Sequence, residues 1–219
     1  MIISEEQRKS RKYKQTIGNF SSCKMRTSVS YFSLLQKDFI YWLEFDPDVV
    51  SYTTATAPME CYDNGKQKLY VPDFQVIRHR KKQIIEVKSQ KIIKSQKYRQ
   101  LYPLLSENCN DTGWEFIALT ESQVQQEPTL SNIKLLYRYA RENFSIDEYQ
   151  NCWAILKSTV PASLAEIGQA LDCHNICRNV LFKLLFYSLV EIDLKKSISS
   201  NSVITAVSKT IKWEVLFNG

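Results

Sequence analysis

The sequence predicts an α+β protein built in two parts. Three observations carry that prediction. Between about Ser33 and Phe144, helical and strand patterns follow one another, with most strands gathered in the middle. After about Asp147, helical patterns dominate and close on two short alternating segments. Of 219 residues, 44% are hydrophobic and 24% charged, enough apolar material for one large core or two small ones. That balance excludes a disordered chain.

Residues 1–27 are polar, basic and without periodicity, and read as an N-terminal arm. Leu34, Leu35, Phe39, Trp42 and Leu43 then recur at helical spacing behind Ser33, an apt N-cap. Asp46-Pro47 closes this helix, because proline disfavours helix in the residue before it. Val49 to Thr56 is rich in β-branched residues and predicts a strand. Asp63-Asn64-Gly65 is a turn signal. Gln67 to Ile77 predicts one strand, with Pro72 at an edge or bulge. A charged turn from Arg78 leads to a strand over Gln83 to Lys88. Lys91 to Leu105 has a looser helical pattern, which Pro103 is expected to cut short. A strand from Trp114 to Thr120 and a helix from Ile133 to Phe144 complete a first domain, 28–146.

In the second domain, 147–219, helical patterns cover Tyr149–Lys157, Ser163–Leu171 and Ile176–Leu185. The polar turn Asp172-Cys173-His174-Asn175 separates the last two. Val190 to Leu194 and Asn201 to Val207 alternate like strands. Helix, helix, turn, helix and two strands is the order of a winged helix-turn-helix.

The formal charge of +6 favours an anionic partner, and the charge is uneven. Residues 76–100 hold nine basic groups against Glu86 alone. Six cysteines without a CxxC pair point to reduced thiols in a cytoplasmic protein. The start of the chain lacks the pattern of a signal peptide. Val180 to Val190, broken by Lys183, is too short to span a bilayer, so no membrane role is expected.

One segment concentrates chemistry: Tyr70-Val71-Pro72-Asp73-Phe74, then Ile84-Ile85-Glu86-Val87-Lys88. Twelve residues separate Asp73 from Glu86, room for the rest of one strand, a turn and the start of the next. Two carboxylates on neighbouring strands can hold a hard divalent cation, Mg²⁺ or Mn²⁺. Such a cation polarises a phosphodiester and acidifies its bound water. Lys88 can orient that water or stabilise developing charge, and the Val87 backbone carbonyl can complete the cation's shell. Lys91, Lys94, Lys97 and Arg99 follow at once, as a nuclease needs for holding phosphates near its metal.

The pattern resembles the PD-(D/E)xK, restriction-endonuclease-like superfamily. More closely, it resembles the TnsA family, endonuclease subunits of heteromeric cut-and-paste transposases. The matching residues are Ser33-Leu-Leu-Gln36-Lys-Asp-Phe39, Leu43-Glu44-Phe45-Asp46-Pro47-Asp-Val49-Val50, Tyr70-Val-Pro-Asp73-Phe74 and Ile85-Glu86-Val87-Lys88. The resemblance covers most of residues 25–145, and the helical tail fits the family's second domain. It implies a restriction-endonuclease-like central mixed sheet flanked by helices, followed by a small winged-helix domain. It implies metal-dependent cleavage of the 5′, non-transferred strand at transposon ends, in partnership with a DDE-class transposase. An AAA+ ATPase regulator docks on the family's C-terminal domain. The setting implied is the bacterial cytoplasm, at the nucleoid. Asp73, Glu86, Lys88 and Gln36 take the catalytic positions, with Asp73, Glu86, the Val87 carbonyl and Gln36 around the metal.

Gln36 departs from the family, which carries Glu there. A neutral amide supplies no negative charge, so cation affinity should fall. Natural divergence, an inactivated variant, or a role moved to Asp38 or Glu44 are the alternatives, with Gln36 ranked first as the occupant. Two other functions stay open: a non-cutting assembly subunit bridging transposase and ATPase, and a stand-alone restriction-type nuclease. Cys173-His174-x-x-Cys177 lacks a fourth zinc ligand and reads as a turn. His79 reads as a solvated loop residue, and no Gly-rich loop suggests ATP binding. The helix in the recognition position carries only Arg178 and Lys183 among apolar groups, which favours protein docking over DNA reading.

Overall fold

A computed structural model describes residues 16–54, 56–63 and 66–208. The chain divides into two compact units, 1–125 and 126–219.

In the first unit, strands β1 (Gly18–Ser22) and β2 (Thr27–Tyr31) form an antiparallel hairpin. The stretch expected to be a featureless arm is therefore ordered from Gly18, while residues 1–15 lie outside the described residues. The hairpin is fixed by a carboxylate whose role the sequence did not reveal. Glu44 is buried and accepts from Ser22 Oγ, from Tyr52 Oη (2.5 Å) and from the N–H groups of Cys23 and Lys24 (3.0 Å each).

Helix α1 (Leu34–Phe45) begins as predicted, with the Ser33 hydroxyl accepting from the Gln36 N–H, and stops before Asp46-Pro47. Its buried face, Phe39, Ile40 and Leu43, matches the buried residues Phe74, Val76, Ile85 and Val87 of the sheet. Phe39 and Phe74 meet edge to face at 5.1 Å.

The central sheet is mixed, in the order β3 (Val49–Thr53), β6 (Phe74–Arg78), β7 (Lys82–Val87), β8 (Glu115–Leu119). β3–β6 and β6–β7 are antiparallel, and β7–β8 is parallel. The single strand expected over 67–77 is two. β4 (Met59–Asp63) and β5 (Lys66–Tyr70) make a separate hairpin, and β6 begins after Pro72, which has no N–H for a ladder. The turn residues Asn64 and Gly65 lie outside the described residues.

The helical stretch after β7 is also two elements, α2 (Gln90–Ile93) and α3 (Gln96–Asp111). Pro103 does not end α3. An internal proline costs about 3 kcal/mol, and here buried Leu105 and Cys109 with the packed rings of Tyr98 and Tyr102 offset it. A short helix α4 (Glu121–Val124) closes the unit.

The second unit contains α5 (Thr129–Ala140), α6 (Ile146–Thr159), β9 (Ala162–Ser163), α7 (Leu164–Cys173), α8 (Asn179–Phe186), β10 (Val190–Ile192) and β11 (Val203–Val207). The strands form an antiparallel sheet in the order β10–β11–β9. Ser145 and Ser163 cap α6 and α7 through reciprocal bonds with Glu148 and Glu166. The units part at Gln125, earlier than the change of texture near Asp147. The reason is α5, whose buried Leu130, Ile133, Leu136 and Ala140 serve the second core. Tyr139 stacks on Phe182 at 4.8 Å, and Tyr137 meets Phe186 at 5.5 Å. With α5 against it, α8 buries Val180, Leu181, Lys183, Leu184, Leu185 and Phe186. No helix among the described residues is long and apolar enough to cross a membrane.

Candidate active site

The register of β6 on β7 builds the site. Phe74 pairs with Ile85, so Asp73, just before β6, lies opposite Glu86. The Asp73 N–H donates to Glu86 Oε2 at 3.2 Å. Asp73 Oδ2 accepts from the Val87 N–H at 2.8 Å. Lys88 follows β7, its N–H bonded to the Leu119 carbonyl of the parallel neighbour. Its Nζ is 2.8 Å from both Asp73 oxygens and 2.7 Å from Glu86 Oε1.

Gln36 enters from the first turn of α1 and is buried. Its Nε2 donates to Asp73 Oδ1 at 2.7 Å, and its Oε1 accepts from the Phe32 N–H at 2.7 Å. The amide is locked in this sense. Reversing it would set two donors head to head at Phe32 and a carbonyl against a carboxylate at Asp73. Gln36 thus brings a donor into the site and turns its carbonyl away from it.

The electrostatics follow from burial and crowding. Glu86 is 1% exposed. Burial, then the Asp73 carboxylate beside it, pushes its carboxyl up to about 7, against the pull of Lys88. Burial alone would lower Lys88, but Asp73 and Glu86 outweigh it and hold the ammonium above its ordinary range. Two phenols that the sequence did not single out stand beside these groups. Burial first and the Glu86 charge second raise both Tyr70 and Tyr102 well above an ordinary tyrosine. The sequence held a partial signal for Tyr70, which opens the Tyr-Val-Pro-Asp-Phe run. Tyr102 reads as one more aromatic on an amphipathic helix.

Two carboxylates converging on one ammonium nitrogen is the arrangement a hard divalent cation asks of protein oxygens. Asp73 and Glu86 are the residues that could offer oxygens to such a cation, at the point that Lys88 Nζ occupies. Among the described residues no third His, Cys, Asp or Glu joins them. The alternatives to Gln36 are otherwise engaged. Glu44 anchors the β1–β2 hairpin, and Asp38 accepts from Gln125 Nε2 at 2.9 Å. At Val87 the group bonded into the site is the N–H.

Lys91 on α2, Lys94 at its C-cap, and Lys97 and Arg99 on α3 are exposed, soon after β7. Cys173, His174 and Cys177 are exposed around the end of α7, and His174 Nδ1 lies 2.9 Å from the Ala170 carbonyl. The His79 side chain is exposed, its Nδ1 3.1 Å from the Asp48 carbonyl. In α8, Lys183 turns inward to donate to the Glu142 carbonyl at 2.7 Å.

Compared with known proteins, the sequence matches no protein-family model and no curated protein.

Proposed function

We propose that this chain is a TnsA-like endonuclease subunit of a DNA transposase, hydrolysing the 5′ strand at transposon ends with Mg²⁺ or Mn²⁺. The observation that supports this reading most is the convergence of Asp73 and Glu86 on Lys88 Nζ, with Gln36 on the first helix donating to Asp73. The strand pairing that sets Asp73 opposite Glu86 supports a restriction-endonuclease-like first domain. The order α6, β9, α7, α8, β10, β11, with β11 central in its sheet, supports a winged helix in the second.

A bound cation would supply Lewis acidity toward the phosphate and acidify its water. The protein's own part is to hold that cation with Asp73 and Glu86. Lys88, freed from bridging the two carboxylates, can then steady the attacking water or the charge growing on the phosphate. Lys91, Lys94, Lys97 and Arg99 would hold the backbone of the duplex. The burial of α8 argues against a second domain that reads DNA through that helix, and so against the stand-alone restriction nuclease.

The test is nicking of an end-labelled transposon-end duplex with partner transposase, ATPase and Mg²⁺ present. Asp73→Ala should abolish 5′-strand cleavage while the complex still assembles; unchanged cleavage would sink the assignment. A second reading, a non-cutting assembly subunit, is favoured by one observation: Gln36 satisfies Asp73 without a metal.

A further inference from the structure

We propose that the β1–β2 hairpin is a second surface for duplex DNA, a ribbon whose outer face lies along the nucleic acid entering the candidate active site. This role rests on the nuclease reading above. From Gln7 to Lys37 the sequence carries eight basic residues and no acidic one. Five of the eight belong to residues 1–15, which lie outside the described residues and lead into the ribbon through Thr16 and Ile17. Lys24 is spent within the unit, its Nζ donating to the Val49 carbonyl at 2.9 Å. Arg26 is exposed at the turn of the ribbon, and Lys37 Nζ stands 5.7 Å from the Tyr31 ring at the other end.

The ribbon is anchored along α1. At its turn, the N–H groups of Cys23 and Lys24 donate to Glu44, near the end of that helix. In its middle, Phe20 meets Tyr41 edge to face at 4.9 Å. At its open end, the N–H of Phe32 donates to Gln36, which donates in turn to Asp73. Phe20, Ser22, Val29 and Tyr31 form the buried face. The outer face is two cross-strand pairs, Asn19 with Ser30 and Ser21 with Ser28. Asn19, Ser21 and Ser28 are exposed, and the Ser30 hydroxyl donates to Asn19 Oδ1 at 3.0 Å. An isolated two-stranded hairpin is marginal, and here the α1 anchors hold it from the inner side. The small polar side chains outside are not needed for that, but they suit a polyanion. Amides and hydroxyls bond phosphate and sugar oxygens, and a two-stranded ribbon fits the major groove. The face has no negative charge to repel phosphates, and basic groups stand at both its ends. Five residue pairs make a ribbon about 17 Å long, the length of about five base pairs. Its open end adjoins Gln36 and Asp73, so a duplex cut there passes along it.

The test is binding of a fluorescein-labelled duplex by the full chain, read by anisotropy across a salt series. Ser21→Glu combined with Ser28→Glu should weaken binding at least about tenfold, by setting like charge against phosphates. Ser21→Lys combined with Ser28→Lys should tighten binding and steepen the salt slope by about 0.9 for each phosphate newly neutralised. A gain of affinity cannot come from a misfolded ribbon, so the lysine pair decides the matter even if the glutamate pair fails to fold. The same two charge changes at Ala154 and Ser158, exposed on α6, should leave affinity and slope unchanged. Ribbon variants that do no more than those α6 variants would overturn this proposal alone. Loss of binding on replacing Lys91, Lys94, Lys97 and Arg99 would then leave the nuclease reading standing. A parent chain that binds no duplex even at low salt would overturn both.

Discussion

Gln36 and Glu86 decide how this site behaves without a metal. Gln36 gives Asp73 a neutral donor and Lys88 gives it a charged one, so the carboxylate is satisfied before any cation arrives. Glutamate at 36 would keep the bond from the Phe32 N–H on one oxygen and turn the other, negatively charged, toward Asp73. That arrangement calls for a cation between them. Glu86 gives the site a pH signature. Its carboxyl rises on folding from an ordinary 4.5 to about 7, so the native state binds the extra proton. The stability this contributes is complete below about pH 4.5 and is lost as pH climbs through 7. Glu86→Gln should therefore gain on the parent between pH 4.5 and pH 8, by on the order of 3 kcal/mol, in metal-free urea denaturation. A stability difference that does not change with pH would contradict the buried, crowded setting of Glu86. At this scale the sequence was informative. Asp73, Glu86, Lys88 and Gln36 are all legible because their spacing is local or motif-bound. Tyr102 was not, since a hydroxyl's surroundings depend on which elements meet.

Among the elements, α1 delivers Gln36 through its first turn, and Ser33 holds that turn. Ser33→Ala should cost about 1 kcal/mol in thermal or urea unfolding. It should also weaken the site more than a remote cap would, because the bond removed is to Gln36's own N–H. Element types were mostly readable, since α1, β3, β7 and β8 carry strong periodicity or β-branched runs. The misreadings have physical causes. Pro72 splits one apparent strand between two sheets, because the chain leaves a hairpin and enters the central sheet around it. Pro103 is tolerated in α3 because tertiary packing outweighs local propensity. The β1–β2 hairpin looked featureless because its main anchor is a distant side chain, Glu44.

For the molecule as a whole, the division into two units was visible in sequence texture, but the membership of α5 was not. A helix's own pattern shows that it has an apolar face, not which core takes it. Under the proposed function, the basic residues that hold DNA are those that follow β7 in the first unit. Lys183, in α8, the helix that would read DNA if the second unit is the proposed winged helix, is buried. Lys91, Lys94, Lys97 and Arg99 are exposed. Replacing those four with glutamine should weaken duplex binding and flatten its salt dependence, read by anisotropy across a salt series. The slope should fall by about 0.9 for each phosphate that is no longer neutralised. Lys183→Met should leave the salt slope unchanged. The most direct test of the nuclease reading is 5′-strand cleavage by the reconstituted transposase with Mg²⁺ or Mn²⁺. The parent chain would run beside Gln36→Glu and Gln36→Glu combined with Asp73→Asn. Gln36→Glu should cut at least about tenfold faster than the parent, as expected from an added charged ligand, and the double variant should not cut. Equal cutting with and without the Asp73 carboxylate, or no cutting by any of the three in an assembled complex, would contradict a cation site built on Asp73 and Glu86.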